Sequence, residues 1–481
     1  VATVSPLLFG SFVEHVGRII YDGLLDADHR PRPQVVDAIA ALRPTILRYP
    51  GGCFADEYHW GDGVGPVDQR PRYERQYWTD FVDRFADAFK LDPSWAALMG
   101  PPEPNAFGTD EFIALCGQVG ALPALTVNMG TGTPAEAAEW ARYTSGRVRH
   151  WFLGNELYGG WETGAMGAEE YGAAAAEFAA AMRAANPDIH LTAVGRLGDQ
   201  PSGGPDWNRR VLDAAGDAVD CLSLHYYFPG PMVPGRPFRD DAADYSQVVA
   251  AGVPLAADLD AVVKEIAATD RADIPFALDE WNLWAGWAEL LEVEHRACDA
   301  IGIAGCFNEL LRRADRVEMA LLSQLINCMG PIQTRGEQVF TTPVYLAAKL
   351  YRDHAGGQVL GTTVECGTVT VLPFADSSGG GDGTLAAAAE ATVESVPVVD
   401  AVATTEGVFL LNRSIDQSVR VRVDGLDGLD ARTATLRWVD SAGPFDRNTA
   451  DEPERVRVSA RSVDPEGFDL PPHTAAVLTS G

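Results

Sequence analysis

Eight short apolar segments, each followed by a helical stretch, fill the chain to about residue 355. The segments are Leu7–Val13, Thr45–Pro50, Pro123–Asn128, Val148–Gly154, His190–Gly195, Cys221–Tyr227, Pro275–Asp279 and Glu318–Gln324. Helical stretches between them include Gln34–Leu42, Thr109–Val119, Pro134–Tyr143, Glu169–Ala185, Leu255–Ala268 and Val293–Arg313. Thr133 ahead of Pro134, and Thr109 beside Asp110 and Glu111, read as helix starts. Parallel strands cannot be joined by tight turns and need crossover helices. The alternation therefore fits an α/β fold: a doubly wound sheet or, with eight units in succession, a (β/α)8 TIM barrel, which is preferred.

Beyond residue 356 the pattern changes. Short β-rich runs, Gly367–Leu372, Gly407–Asn412, Ser418–Val423, Thr433–Val439 and Val456–Ser459, are punctuated by Gly, Asp, Asn and Pro. They predict a C-terminal antiparallel β-sandwich, with Ser377–Gly383 as a hairpin tip. The expected division is 1–355 as the barrel and 356–481 as the sandwich, the latter joined by the extreme N-terminus. A chain of 481 residues is long enough for both.

Charge excludes one class of partner. With 37 Lys plus Arg against 68 Asp plus Glu, the net charge is −31, and a phosphate backbone would be repelled. Nucleic acid is not expected as a partner. Lys90, Lys264 and Lys349 are the only lysines. An acidic, lysine-poor chain predicts a protein that works in concentrated salt, where its self-repulsion is screened; a genome that favours arginine codons is the other source of such a bias. No apolar run approaches the roughly 18 residues that cross a bilayer, so no membrane role is expected. No basic and apolar leader opens the chain at Val1, which predicts a cytoplasmic location.

Seven cysteines form no CxxC pair, and the odd number argues against a disulfide framework. Nine histidines include no HExxH and no zinc-type cluster, so neither metal nor cofactor is expected.

In a barrel, chemistry collects where strands end. Those positions hold Glu14 and His15, Arg48 with Gly51–Gly52–Cys53, Asn128, Asn155 and Glu156, His225 with Tyr227, Glu280 with Trp284, and Gln324. Glu156 closes Trp151-Phe-Leu-Gly-Asn-Glu156, and Glu280 closes Pro275-Phe-Ala-Leu-Asp-Glu280. Carried by the fourth and seventh strands, they can face one another across a pocket. Two opposed carboxyls are what glycoside hydrolysis needs: one donates a proton, and the other attacks the sugar or activates water. Alone, each would read as a solvated strand-end acid; together, flanked by Asn155 and Trp281, they indicate function.

Weaker features have bland alternatives. Met129-Gly-Thr-Gly-Thr-Pro134 lacks the full GxGxxG and the P-loop lysine, so it is not read as a nucleotide site. Trp60, Trp78, Trp161, Trp281, Trp284 and Trp287 fall in proposed strand–helix loops, where they serve as sugar platforms or as local core. Arg312, Arg313 and Arg316 suit a helix C-terminus.

Five motifs carry a family resemblance. Leu8-Phe-Gly-Ser-Phe-Val-Glu14-His-Val-Gly-Arg18-Ile-Ile-Tyr21-Asp-Gly23, Leu47-Arg-Tyr-Pro-Gly-Gly-Cys-Phe-Ala-Asp-Glu-Tyr-His-Trp60, Gly154-Asn-Glu-Leu-Tyr-Gly-Gly-Trp161, Leu222-Ser-Leu-His-Tyr-Tyr227 and Leu278-Asp-Glu-Trp281 resemble the α-L-arabinofuranosidases of glycoside hydrolase family 51. The resemblance extends over about residues 7–355 and implies a retaining, exo-acting enzyme on arabinan- or arabinoxylan-type chains. It implies Glu156 as general acid/base, Glu280 as nucleophile, and Asn155 on the sugar 2-hydroxyl. Arg48 and Tyr227 would aim Glu280 and keep it ionised. Glu14, Cys53 (through its backbone) and His225 would line the sugar pocket, with Trp284 as a wall. A homo-hexamer is implied in the same way. Glu156 is expected to start protonated, raised by burial and by the Glu280 charge.

Two places depart from the family pattern. Gln69–Gly108 carries its own Tyr77–Trp78 and Trp95, and no glutamine after the eighth strand is evident near Asn327–Gly330. Alternatives are a retaining glycosidase for another furanoside or a β-linked glucan or xylan, and a noncatalytic carbohydrate-binding protein.

Overall fold

The computed structural model describes residues 2–72, 76–89, 94–100, 102–198, 203–228, 240–284, 293–372, 395–425 and 434–480. Trp287 and Ser377–Gly383 lie outside the described residues. Eight parallel strands close into a barrel in sequence order: β1 Leu7–Phe12, β2 Ile46–Tyr49, β3 Leu122–Val127, β4 His150–Leu153, β5 His190–Val194, β6 Cys221–Phe228, β7 Phe276–Leu283 and β8 Val317–Leu322. The β1–β8 pairing that closes the ring excludes the doubly wound alternative. Helices Pro33–Leu42, Thr109–Val119, Pro134–Tyr143, Ala168–Ala185, Gly252–Ile266 and Ala297–Arg312 lie where the sequence predicts them. The sequence reading passes over others, including Gln76–Phe89, Trp207–Ala215 and Pro343–His354.

Thr133 accepts a hydrogen bond from the Glu136 amide, with Pro134 in the first turn, as a helix start requires. Thr109 is not the cap. Its hydroxyl accepts from the Trp140 indole, and Gly108 precedes the helix, its amide satisfied by the Glu111 carboxylate at 2.9 Å.

Within the barrel, Leu7, Ile46, Ala124, Phe152, Cys221, Ala277, Met319 and Leu321 form one buried layer. The bulk of Phe152 is matched by Ala124, Ala277 and Cys221, so the interior is filled and is not a channel. This layer is the floor on which the site above it rests. All seven cysteines are free. Among the described residues, no single helix is long and apolar enough to cross a membrane.

The C-terminal part forms a six-stranded antiparallel sheet in the order 359–360, 399–404, 408–412, 474–480, 434–440, 457–463. Its central strands alternate with period two, yet both faces are buried. Val408, Leu410, Ala476 and Leu478 face Phe468 and Leu470 of the small second sheet, while Phe409, Leu411, Ala475 and Val477 join the main core. Tyr351 of helix Pro343–His354 stacks on Phe409 at 4.4 Å. Thr3 pairs with Gln358, so the chain start lies beside the start of this sheet.

Candidate active site

Every strand-end residue singled out above as a substrate or catalytic group sits at the C-terminal mouth of the barrel. Arg48 of β2 organises it. Its guanidinium lies over the Phe152 ring at 4.9 Å, donates to Thr126 Oγ1 at 2.9 Å and to Asn155 Oδ1 at 2.8 Å, and faces Asp279 at 3.2 Å and Glu280 at 3.5 Å. An arginine has no acceptor, so its bond to Oδ1 fixes which way the Asn155 amide points.

β6 and β7 place His225 beside Glu280 in register. Consecutive strand residues ordinarily face opposite ways, yet Asp279 and Glu280 both reach Arg48. A register shift between Leu278 and Trp281 in the β7–β8 pairing accompanies this. Trp281 points outward, wholly buried against Phe307, and is core rather than a sugar platform. Tyr227 donates to Glu280 Oε1 at 2.7 Å, touches Ser323 at 2.7 Å, and packs edge-on against the half-buried Trp284 at 5.1 Å.

Glu156 follows Gly154 (φ +77°) and itself adopts φ +42°, a left-handed backbone that is unusual for glutamate. Its carboxylate accepts from His225 Nδ1 at 2.8 Å, Tyr158 OH at 3.1 Å and Trp161 Nε1 at 2.9 Å. His225 Nδ1 also lies 3.7 Å from Glu280 Oε2. The ligand atoms of Glu156, His225 and Glu280 fall within 4.8 Å of one another. By distance these three could hold a cation; the two carboxyls among them are close enough to serve a single glycosidic bond.

The protonation pattern differs from the sequence expectation. Burial pushes Glu156 up, but the His225 hydrogen bond and charge, with Trp161 and Tyr158, hold it below the usual range. Burial raises Glu280, and the Glu156 charge adds to this against the opposing charges of His225 and Arg48. Burial disfavours a charged imidazole, yet Glu280, Asp279 and Glu156 drive His225 well above its ordinary value. His225 and Glu156 share a proton across their 2.8 Å hydrogen bond, and the three donors that converge on Glu156 favour its charged form.

Glu14, just past β1, accepts from the Phe54 amide at 3.2 Å and from Gln324 Nε2 at 2.6 Å. Gln324 follows β8 by two residues and lies closer to the strand than Asn327–Gly330. Burial, then the charge of Glu280, raises Glu14 from 4.5 to about 7. A proton held more tightly by the folded than by the unfolded chain stabilises most below about pH 4.5, and that stabilisation is lost as pH rises through about 7. The span corresponds to about 3 kcal/mol. Glu14→Gln is thus expected to gain thermal stability relative to the native protein between about pH 5 and about pH 8; a difference in unfolding temperature that stays flat with pH would reject this.

Gly51 at φ +131° passes Glu14 so closely that a Cβ would lie 2.3 Å from the glutamate's own Cβ. Gly51→Ala is expected to destabilise the fold by more than about 1 kcal/mol, as read by thermal unfolding.

Several residues take contacts that their motifs do not reveal. Asp56, wholly buried, accepts from the Met129 and Asn155 amides at 3.0 and 2.9 Å and so ties the loop after β4 to the turn after β3. Asn128 closes that turn onto the Thr131 and Gly132 amides at 2.8 and 2.9 Å, a structural task that leaves Met129–Pro134 no role as an anion cradle. Cys53 engages through its thiol as well: Sγ donates to Glu162 Oε1 at 2.8 Å. Of the tryptophans, Trp161 touches Glu156, Trp60 stacks on Trp140, and Trp78 packs on Phe81 in the 69–108 segment. The side chains of Tyr77 and Trp95 lie outside the described residues.

A closed (β/α)8 barrel with two facing carboxyls at the ends of its fourth and seventh strands, backed by an arginine and a tyrosine, is the site of a glycoside hydrolase. Known proteins agree. Residues 38–145 match the α-L-arabinofuranosidase 1 domain model and residues 279–473 the α-L-arabinofuranosidase C-terminal domain model. An intracellular exo-α-(1→5)-L-arabinofuranosidase of Streptomyces lividans is 32% identical over 95% of this chain and 69% of its own length. An exo-α-(1→6)-L-arabinofuranosidase of Bifidobacterium longum is 29% identical over 95% of this chain and 89% of its own. The crystal structure of the Thermotoga maritima α-L-arabinofuranosidase in complex with arabinose superposes with a TM-score of 0.81 at 30% identity, covering 99% of this chain and 97% of that one. The chain belongs to the α-L-arabinofuranosidases of glycoside hydrolase family 51.

Proposed function

We propose that this enzyme releases terminal α-L-arabinofuranosyl residues from arabinan- and arabinoxylan-type oligo- and polysaccharides by double displacement. The observation that carries the reading is the approach of Glu156 and Glu280 oxygens to within 4.8 Å. Retaining glycosidases need carboxyls roughly 5–5.5 Å apart, whereas inverting ones leave room for an intervening water.

In the first step a Glu280 oxygen attacks the anomeric carbon as its bond to the leaving oxygen breaks, and Glu156 passes a proton to that oxygen. The proton comes from the His225–Glu156 pair, whose 2.8 Å hydrogen bond lets the imidazole load the carboxylate. Esterified Glu280 is neutral. Glu156 then takes a proton from water, the water oxygen attacks the anomeric carbon, and Glu280 departs. Arg48 and Tyr227 hold Glu280 in aim and stabilise it as it regains its charge. Glu14, Asn155, Cys53 and His225 surround the sugar, with Trp284 as a wall. Catalysis belongs to residues 1–355, and residues 356–481 form the supporting sandwich.

The relatives split between (1→5) and (1→6) linkages, so the linkage is open to direct assay. Initial rates on a panel of aryl glycosides test the whole reading. The α-L-arabinofuranoside should be the fastest substrate by a wide margin, and preferential hydrolysis of a β-xyloside or β-glucoside would reject it. An intracellular, cytoplasmic setting follows the Streptomyces lividans relative. A homo-hexameric assembly is measurable by light scattering, and the acidic composition suits operation in concentrated salt.

A further inference from the structure

Glu162, two turns of loop beyond Glu156, is 5% exposed and has no cation in contact among the described residues. Its Oε1 accepts from Cys53 Sγ at 2.8 Å and from Asn155 Nδ2 at 3.2 Å. Its Oε2 is sealed from solvent and has no hydrogen-bond partner. Arg48 holds Asn155 Oδ1 at 2.8 Å, which keeps the Asn155 Nδ2 donor on Oε1. Around Glu162 stand Asp56 and Cys53 from the segment after β2, Glu156 after β4, and Glu280 on β7, and the three carboxyls repel an anion here. A buried carboxylate oxygen that no protein donor reaches, beside three other acids, is far more stable carrying a proton.

We infer that Glu162 is a positioning residue held as a neutral carboxylic acid, which ties Asn155 to Cys53 and keeps a further negative charge away from the acid/base Glu156. This deepens the arabinofuranosidase reading and rests on it for the consequences in catalysis. Burial, reinforced by Asp56 and Glu156, places the carboxyl well above its ordinary range, in accord with the geometry. When Glu162 does ionise, at alkaline pH, the new charge beside Glu156 and Glu280 disrupts the site. The alkaline fall of kcat/KM then contains two proton losses, one from the His225–Glu156 pair and one from Glu162.

Glutamine keeps the accepting oxygen and cannot ionise, so Glu162→Gln separates the neutral acid from a required anion. Near neutral pH, Glu162→Gln is expected to keep kcat/KM within about threefold of the native enzyme. Glu162→Ala, which strands the Asn155 and Cys53 donors, should lose about tenfold or more. At high pH the native log kcat/KM should fall with limiting slope −2, and that of Glu162→Gln with slope −1.

Infrared difference spectra of native against Glu162→Gln protein at neutral pH supply a readout independent of turnover: loss of a protonated-carboxyl C=O band is expected. An unchanged band in folded variant, a glutamine variant as impaired as alanine, or identical alkaline slopes would each overturn the inference. Circular dichroism confirms folding. Failure of the native enzyme on aryl arabinofuranosides would instead refute the functional reading and leave the spectroscopic result standing.

Discussion

Glu280→Ala is expected to lower kcat on an aryl α-L-arabinofuranoside by about 10⁴-fold or more, with the fold intact by circular dichroism. The loss is large because no other group can form the covalent intermediate. Asp279, its neighbour, lies buried at 3.2 Å from Arg48 and is committed to that ion pair. Glu156→Ala should behave differently. A good aryl leaving group departs without a proton, so the first step survives and the glycosyl–enzyme accumulates, because no base activates water. Azide needs no proton removed and should restore turnover, giving arabinosyl azide of retained configuration by NMR. Full activity in either variant, or an inverted first-formed product, would reject the assignments. His225→Gln should shift the pH profile as well as lower the rate, because the acid's proton is shared across the 2.8 Å bond.

The second large effect is on stability. The folded chain confines a net charge of −31, and that self-repulsion opposes folding. Raising salt from about 0.01 M to about 1 M shortens the Debye length from about 30 Å to about 3 Å. The same salt weakens surface ion pairs such as Arg420–Asp469 and Arg422–Asp424, whose side chains are about two-thirds exposed. Pairs of this kind contribute little in water, so the relief of repulsion wins. The unfolding temperature should therefore rise by roughly 5 °C or more across that range. A flat or falling curve, or an equal rise in an uncharged osmolyte, would remove the salt adaptation.

How much of this was legible beforehand varies by residue. Glu156 and Glu280 stood out because each ends an apolar strand, and strand ends are displayed at one face whatever the loops do. Gln324 is legible as a strand-end residue, whereas its bond to Glu14 is not. Glu162 lies in a loop without periodicity, and the contacts of Asp56 and Ser323 are not encoded in the motif and strand segment that contain them. The direction of the Glu156 shift is hidden from the sequence for a related reason. Trp161 and Tyr158 can be read near Glu156, but that both, with His225, direct their donors at its two oxygens is a matter of loop conformation.

The order of elements, the eightfold alternation and the change to antiparallel strands near residue 356 were determined by local pattern, because hydrophobic period and turn residues act over a few positions. So was the placement of Glu156 and Glu280 at strand ends. The closure of β1 on β8, the left-handed backbone at Glu156, the sharing of Arg48 among four partners and the sealed oxygen of Glu162 were decided only by the tertiary structure. These depend on groups far apart in the chain meeting at distances of a few ångströms, where burial and charge change chemistry that no single segment encodes.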